Sequence, residues 1–374
     1  MRVVGRQTLR RWSAVLSGTA LLCALPAIRA ALPVTGSGIS AVALRARILA
    51  STRVPYQGYA ESTVDLGLPV LPGLQSVTRL FDSTTSQYVW YLSPAHWRAD
   101  GLTAAGENDV YQVCRVTYQW NYSHNLLTRI PVPPPVRLPR SADLLPPVLA
   151  RTLVGLAAPG DHFSRIPSAR VAGVDAAGLR LVPASSSTTI RAIEIWADPA
   201  DGLPVKVQIL GRGTRRPVLT TSFLELSQQR PAYRTVVPHP APGVDTVTAS
   251  LPDLNGLLGG GRTPEFPPAL AGLRRIAAPG SLAAVSAYGT GLARFAVLPL
   301  PGQIGQQAIA AAARTGSAVR LRHGEGVVIR TPLLSVLVFI SVYQNHVLLL
   351  TGSVTPALLE RAATELVDYF ARGR

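Results

Sequence analysis

The chain has 374 residues, 47% of them hydrophobic and 6% aromatic, with a formal net charge of +16. That hydrophobic share is far from a polytopic membrane protein, and the length exceeds what one core usually serves, so two domains are expected. The charge does not imply a nucleic-acid partner: it is almost all arginine, Lys206 is the only lysine, and the arginines are scattered rather than gathered in a phosphate-binding stripe.

The first thirty residues read as an export signal. Arg2, Arg6, Arg10 and Arg11 form a positive start, Ser13 to Ile28 is an almost charge-free apolar stretch, and small residues follow at Ala30 and Ala31. The apolar stretch is shorter than the roughly 18–20 residues that span a bilayer comfortably, which favours removal over anchoring. Residues 1–30 are therefore expected to be a signal peptide and the mature chain extracytoplasmic, with an uncleaved N-terminal anchor as the alternative. Lipid attachment at Cys23 is disfavoured because Leu22 stands where lipoprotein processing needs a small residue. After cleavage Cys114 is the one remaining cysteine, so no internal disulfide supports the fold.

Residues 40–51 are predicted to form a helix capped by Ser40, with Ala41, Leu44 and Ile48 on one face. Strands are predicted at 56–62 and 87–92, with a hairpin from 107–113 and 116–123. Pro131 to Pro139 is too rich in proline for a regular element, and a helical region follows from Ser141 to Leu156. Four further strands are read at 179–182, 190–197, 204–210 and 218–226, the middle two joined by the turn residues Asp198 to Gly202. Successive strands on short turns imply an antiparallel sheet.

Composition then shifts. Pro238 to His239-Pro240 opens a Pro/Gly-rich stretch that contains Gly259-Gly260-Gly261, so a linker is expected over 238–265, between a first domain at 38–237 and a small α+β domain at 266–374. No Gly-Lys-Ser/Thr follows the glycines, so they are not a phosphate loop. In the last domain, strands are expected at 285–288, 294–298 and 326–330, a helix at 303–314, and a hairpin from 333–343 and 347–351. Thr355 and Pro356 start the final helix, whose apolar stripe is Leu359, Ala362, Ala363, Leu366, Val367 and Phe370. The hairpin strands are apolar on both sides and need cover on both. If neither the 303–314 helix nor the first domain covers one side, an apolar patch remains, and the last domain is therefore expected to dock a protein while the first domain's groove takes the apolar ligand.

The chain lacks the usual catalytic signatures. There is no His-Glu-x-x-His, Gly-x-Ser-x-Gly or Cys-x-x-Cys, and the six histidines lie far apart, so neither an enzyme, a metal site nor a cofactor is expected. Cys114 reads as a small buried strand residue, although pairing with a distant histidine stays open; Glu107 and Asp109 read as solvated acids near a turn. The aromatic residues are more informative, because they crowd between Tyr88 and Tyr122. Alternation puts Tyr118, Trp120 and Tyr122 on one strand face and Tyr88 with Trp90 on another. Together with Trp97 these six are the candidate ligand-binding residues, lining an apolar cavity; the competing reading is that the rings simply fill the core.

The order of these motifs resembles the lipoprotein-carrier (LolA/LolB-like) and MucB/RseB-like superfamily. The resemblance rests on the first helix, Tyr56-Gln57-Gly58-Tyr59, Ser93-Pro94-Ala95-His96-Trp97-Arg98-Ala99-Asp100, Trp120-Asn121-Tyr122, and Ile195-Trp196-Ala197-Asp198-Pro199 with Gly202-Leu203-Pro204-Val205, over roughly 40–228. Cys114-Arg115 departs from the Asp-Gly often seen before the Trp-x-Tyr strand, and the proline-rich 131–139 insertion is not part of the pattern. The resemblance implies an α+β fold: a half-open antiparallel β-barrel closed by helices, followed by a smaller C-terminal α+β domain. It implies a non-enzymatic binding and regulatory protein of the cell envelope, RseB-like. The partners would be a lipid or acyl chain in the N-domain groove and a membrane-anchored regulatory protein. The alternatives are a LolA-like lipid or lipoprotein carrier and an unrecognised hydrolase.

Overall fold

The computed structural model describes residues 33–34, 36–67, 80–103, 106–131, 139–249, 265–276, 285–322, 324–341 and 346–372, with Trp12 and Val15. The signal-peptide reading, Cys23, the three consecutive glycines and most of the 131–139 insertion lie outside the described residues.

The chain is mostly β-sheet. In the first sheet are β1 (Tyr56–Val64), β2 (Thr84–Ser93), β3 (His96–Thr103), β4 (Gly106–Val113), β5 (Val116–Asn121) and β6 (Leu126–Ile130). Its second half holds β7 (His162–Val171), β8 (Val174–Val182), β9 (Ile190–Ala197), β10 (Pro204–Gly211), β11 (Leu219–Ser227) and β12 (Asp245–Thr248). Their order is β12-β6-β5-β4-β3-β2-β1-β11-β10-β9-β8-β7, antiparallel at each step except the parallel β12–β6 edge. The order begins at β12 and ends at β7, with no pairing between them among the described residues, so this sheet does not close into a barrel.

Helices α1 (Ala41–Ala50) and α2 (Pro146–Gly155) pack on one side of the sheet. Ser40 caps α1 by accepting from the Ala43 amide at 3.2 Å, and Leu44 and Ile48 are fully buried, as the sequence spacing requires. They join Ala150, Leu153 and Val154 of α2 over Leu179, Ile193, Ile195, Val207 and Leu219 of the strands. A second cluster under the 3-10 turn Ser141–Leu144 holds Tyr56, Ala60, Val89, Tyr91, Ala99, Ala142 and Leu145. The helix side is therefore packed core.

The second sheet is built from β13 (Ala269–Leu270), β14 (Leu273–Ile276), β15 (Ser286–Thr290), β16 (Ala293–Leu300), β17 (Ser317–Leu321), β18 (Gly324–Arg330), β19 (Ser335–Ser341) and β20 (His346–Gly352). Helix α3 (Gly302–Thr315) covers one face through Ala308 and Ala312 over Val336, Val338, Val347 and Leu349. Helix α4 (Pro356–Arg372) covers the other through Leu359, Ala363, Leu366 and Phe370 over Val297, Leu337, Phe339 and Leu348. Among the described residues both sides of the apolar hairpin are thus covered, and no bare patch marks the last domain as the docking surface that was expected.

Three further readings are corrected. The stretch expected to be linker contains β12, which pairs Asp245 to Thr248 with Leu126 to Arg129. The strand expected to reach residue 123 ends at Asn121, whose side chain accepts from the His124 amide at 3.0 Å and opens a 3-10 turn over Tyr122–His124. Strands β6, β7, β13, β14 and β17 do not follow from the sequence pattern.

The sheets also touch directly. Thr188 pairs with Val354 as an isolated bridge, the Thr188 hydroxyl donates to the Ser353 carbonyl at 2.7 Å, and the Thr355 amide donates to Ser187 at 2.8 Å. Leu292 and Leu333, from turns of the second sheet, are buried in the first sheet's helix-side core. A Cβ on Gly211 would lie 2.3 Å from the Pro332 carbonyl oxygen, so only glycine permits that approach.

Candidate binding site

Register assigns the aromatic residues to sides. Trp90 pairs with Arg98 and Tyr88 with Asp100; Arg98 pairs with Tyr111 and Asp100 with Asp109; Tyr111 pairs with Tyr118 and Asp109 with Trp120. Directly paired residues point to the same side of a sheet. Tyr88, Trp90, Tyr118 and Trp120 therefore share the side turned away from the helices. Trp97 pairs with Tyr91 and packs with the helix-side core, so it is separated from the other five. The irregular register between Tyr91 and Ser93 at the β2–β3 turn sets this separation.

On the shared side the rings form two groups. Tyr59 and Tyr88 have centroids 4.8 Å apart, Tyr88 and Trp90 6.1 Å, and the Arg98 guanidinium lies 5.1 Å from the Trp90 ring. Tyr88 is 41% exposed. In the second group Tyr122 stacks on Trp120 at 4.8 Å with the planes 3° apart. Trp120 is buried with Tyr111 and Leu127, Tyr118 packs against them, and Tyr122 is 43% exposed. Five of the rings thus lie on the outer side, where only Tyr88 and Tyr122 are exposed and Trp120 is buried, and Trp97 lies with the helix-side core.

Between the rows sits an ionic cluster that the sequence reading missed. Arg98 contacts Asp100 at 2.5 Å, Asp109 at 2.9 Å and Glu107 at 3.8 Å, and the Tyr111 hydroxyl donates to Asp109 at 3.1 Å. Asp109 is a buried acid here, not a solvated one at a turn. Its signal was available in the alternation Arg98, Asp100 and Glu107, Asp109, but only the β3–β4 register brings the pairs together. Burial pushes the Asp100 carboxyl up to about 6, against the lowering effect of Arg98. Burial, then the Asp100 charge, pushes Asp109 up to about 7. Burial alone would lower Arg98, but the hydrogen bond and charge of Asp100 raise it and keep it protonated. Three carboxyls within 4.8 Å of one another are the metal-like grouping found among the described residues, and a guanidinium already serves it.

Cys114 is also corrected. It is exposed in the β4–β5 turn at φ 54°, and its sulfur lies 3.6 Å from His96 Nε2. Left-handed backbone suits the Asp-Gly that the sequence replaces here, so the turn forms in spite of the replacement.

No family model matches the chain, and no curated protein sequence matches it. Among solved structures the chain is similar to MucB in complex with MucA(peri), at 17% identity over 86% of this chain and 97% of that one, with a TM-score of 0.49. It is similar to the MucA/MucB complex of Pseudomonas aeruginosa, also at 17% identity, over 86% and 96% of the two chains, with a TM-score of 0.49. A LolA-superfamily protein from Nitrosomonas europaea matches at 10% identity over 54% of this chain and 99% of that chain, with a TM-score of 0.25.

Proposed function

We propose that this chain is an extracytoplasmic, non-enzymatic binding and regulatory protein whose partner is a membrane-anchored regulatory protein. The observation that carries the reading is the aromatic row of Tyr59, Tyr88 and Trp90 on the sheet side away from α1 and α2, with Tyr88 exposed and its two neighbours half-buried. Exposed aromatic rings on a rigid sheet are typical anchors of a protein contact, since they bury large area at little conformational cost. The ordered motifs of the first domain and the signal-like first thirty residues support an envelope location for this contact. In this reading the first domain is a half-open barrel, Tyr88, Trp90, Tyr118, Trp120 and Tyr122 belong to the partner-binding surface, and Trp97 belongs to the core.

The second reading is a lipid or lipoprotein carrier. It is favoured by the apolar interior under the 141–155 segment, where Trp97, Val89, Tyr91 and Leu145 meet. An acyl chain entering there has to displace that segment, because Val89, Ala99 and Leu145 are already buried.

One experiment separates the two. The purified full chain is examined by native mass spectrometry with lipid extraction, beside crosslinking in envelope membranes of wild type and of Tyr88→Ala/Trp90→Ala. A membrane protein crosslinked to wild type and lost in the double variant supports the regulator. A co-purifying lipid with no such crosslink supports the carrier and overturns the first reading.

A further inference from the structure

We propose that Asp109 is a proton-operated latch for the outer aromatic surface: while protonated it keeps the Tyr122 ring closed over Trp120, and loss of the proton releases that stack. The inference goes beyond the partner-binding reading and stands without it, because the latch is built into the sheet.

Asp100, Glu107 and Asp109 offer carboxylate oxygens within 4.8 Å of one another, and Arg98 is the one cation that contacts them among the described residues. Asp100 and Asp109 are 3% and 1% exposed, so water does little to screen the excess negative charge. A buried carboxyl without a matching cation takes up a proton instead. Asp109 Oδ2 is already served, by Arg98 at 2.9 Å and by the Tyr111 hydroxyl at 3.1 Å. Its other oxygen, Oδ1, is inaccessible to solvent and receives no donor. A proton on Oδ1 turns that idle acceptor into a donor, and the neighbouring carboxylates are acceptors for it. The rise of Asp109 to about 7, through burial and then the Asp100 charge, agrees with this arrangement.

The other groups around Asp109 come from five elements. Strand β3 contributes Arg98 and Asp100, and β4 contributes Glu107 and Tyr111. On β2, Tyr88 stands beside Asp100. Strand β5 presents uncharged Trp120 opposite Asp109, and β6 presents Leu127 beside Trp120, with Arg129 two residues on. The turn after β5 carries Tyr122 and His124, the latter held on the Asn121 side chain at 3.0 Å. Burial and then the Asp109 charge raise the Tyr122 hydroxyl, which puts the two side chains in electrical contact. Once Asp109 ionises, the cluster gains a charge that Arg98, already shared with Asp100 and Glu107, does not match. Hydrating that charge requires water to reach the acid. Tyr122 is 43% exposed and stacked on buried Trp120, so it is the ring that can swing aside.

The test follows the full chain from about pH 5 to about pH 8, by infrared spectroscopy in water and heavy water and by the exchange of tryptophan indole N–H groups in NMR. Trp120→Phe assigns the Trp120 signal. Expected is a carboxylic-acid carbonyl band that fades with a midpoint of about 7 and is missing in Asp109→Asn. Asp100→Asn lowers that midpoint by removing a neighbouring charge, and His124→Gln leaves it in place. Across the same range the Trp120 indole, corrected for the intrinsic pH dependence of exchange, speeds up roughly tenfold or more, and Asp109→Asn holds it at the slow rate. The proposal is overturned by absence of the band in the wild type, by a band that Asp109→Asn keeps, or by a midpoint that Asp100→Asn does not move. A transition abolished by His124→Gln, or Trp120 exchange that does not follow the band, overturns it equally. The wild-type spectra need no variant, so they decide the case should a substitution misfold. Loss of the membrane crosslink bears only on the partner reading and leaves the latch standing.

Discussion

Asp100 and Asp109 make stability depend on pH through their surroundings. Their folded values, about 6 and about 7, lie above the ordinary 3.8, so the folded chain binds more protons than the unfolded one between those limits. Their contribution is complete below the unfolded value and is lost as pH rises through the folded values. The melting temperature is therefore expected to fall from about pH 5 to about pH 8, and Asp109→Asn to flatten that slope, as read by thermal melts across pH. Gly202 is a backbone counterpart. It stands at φ 78°, and a Cβ there would lie 2.3 Å from the Arg47 backbone carbon in α1. Gly202→Ala is expected to cost at least ~1 kcal/mol in denaturant melts, since both the left-handed backbone and the helix contact oppose it.

At the level of elements, α4 shows how far a sequence pattern reaches. All six residues of its apolar stripe are buried, because a helix against a sheet needs only the local 3.6-residue repeat to choose its inner side. Leu366 is fully buried in that stripe, and Leu366→Ala is expected to cost about 2–5 kcal/mol by chemical denaturation. Much of the sheet was legible in the same way, through alternating β-formers and the turn at Asp198 to Gly202. What escaped needed information from elsewhere in the chain. Strand β7 carries Pro167 and is half-exposed along most of its length, and all four residues of β12 are exposed, so neither shows a buried face to read. Trp97 was placed with the wrong rings because alternation fixes sides only within a strand, and the β2–β3 turn resets it. The Arg98 cluster escaped for a related reason: its charges are separate in sequence and meet only through register.

The two sheets form a molecule joined by more than its covalent chain. Separate fragments ending near Val237 and starting near Phe266 are predicted to differ: the second keeps both helices over its sheet, while the first loses Leu292 and Leu333 from its core. Circular dichroism and melting of each piece check this, and the first is expected to melt well below the full chain. At the opposite end of the first sheet, β12 runs parallel to β6 and occupies its hydrogen-bonding edge. An uncovered strand edge is a template on which another chain can add its own strand. With β12 in place, the terminal strand in that direction is only four residues long and exposed, a poorer template than the edge of β6 that it covers. The chain's own return segment thereby acts as a guard against self-assembly, which matters in a crowded compartment, and deletion of residues 245–248 should appear first as rising light scattering on storage.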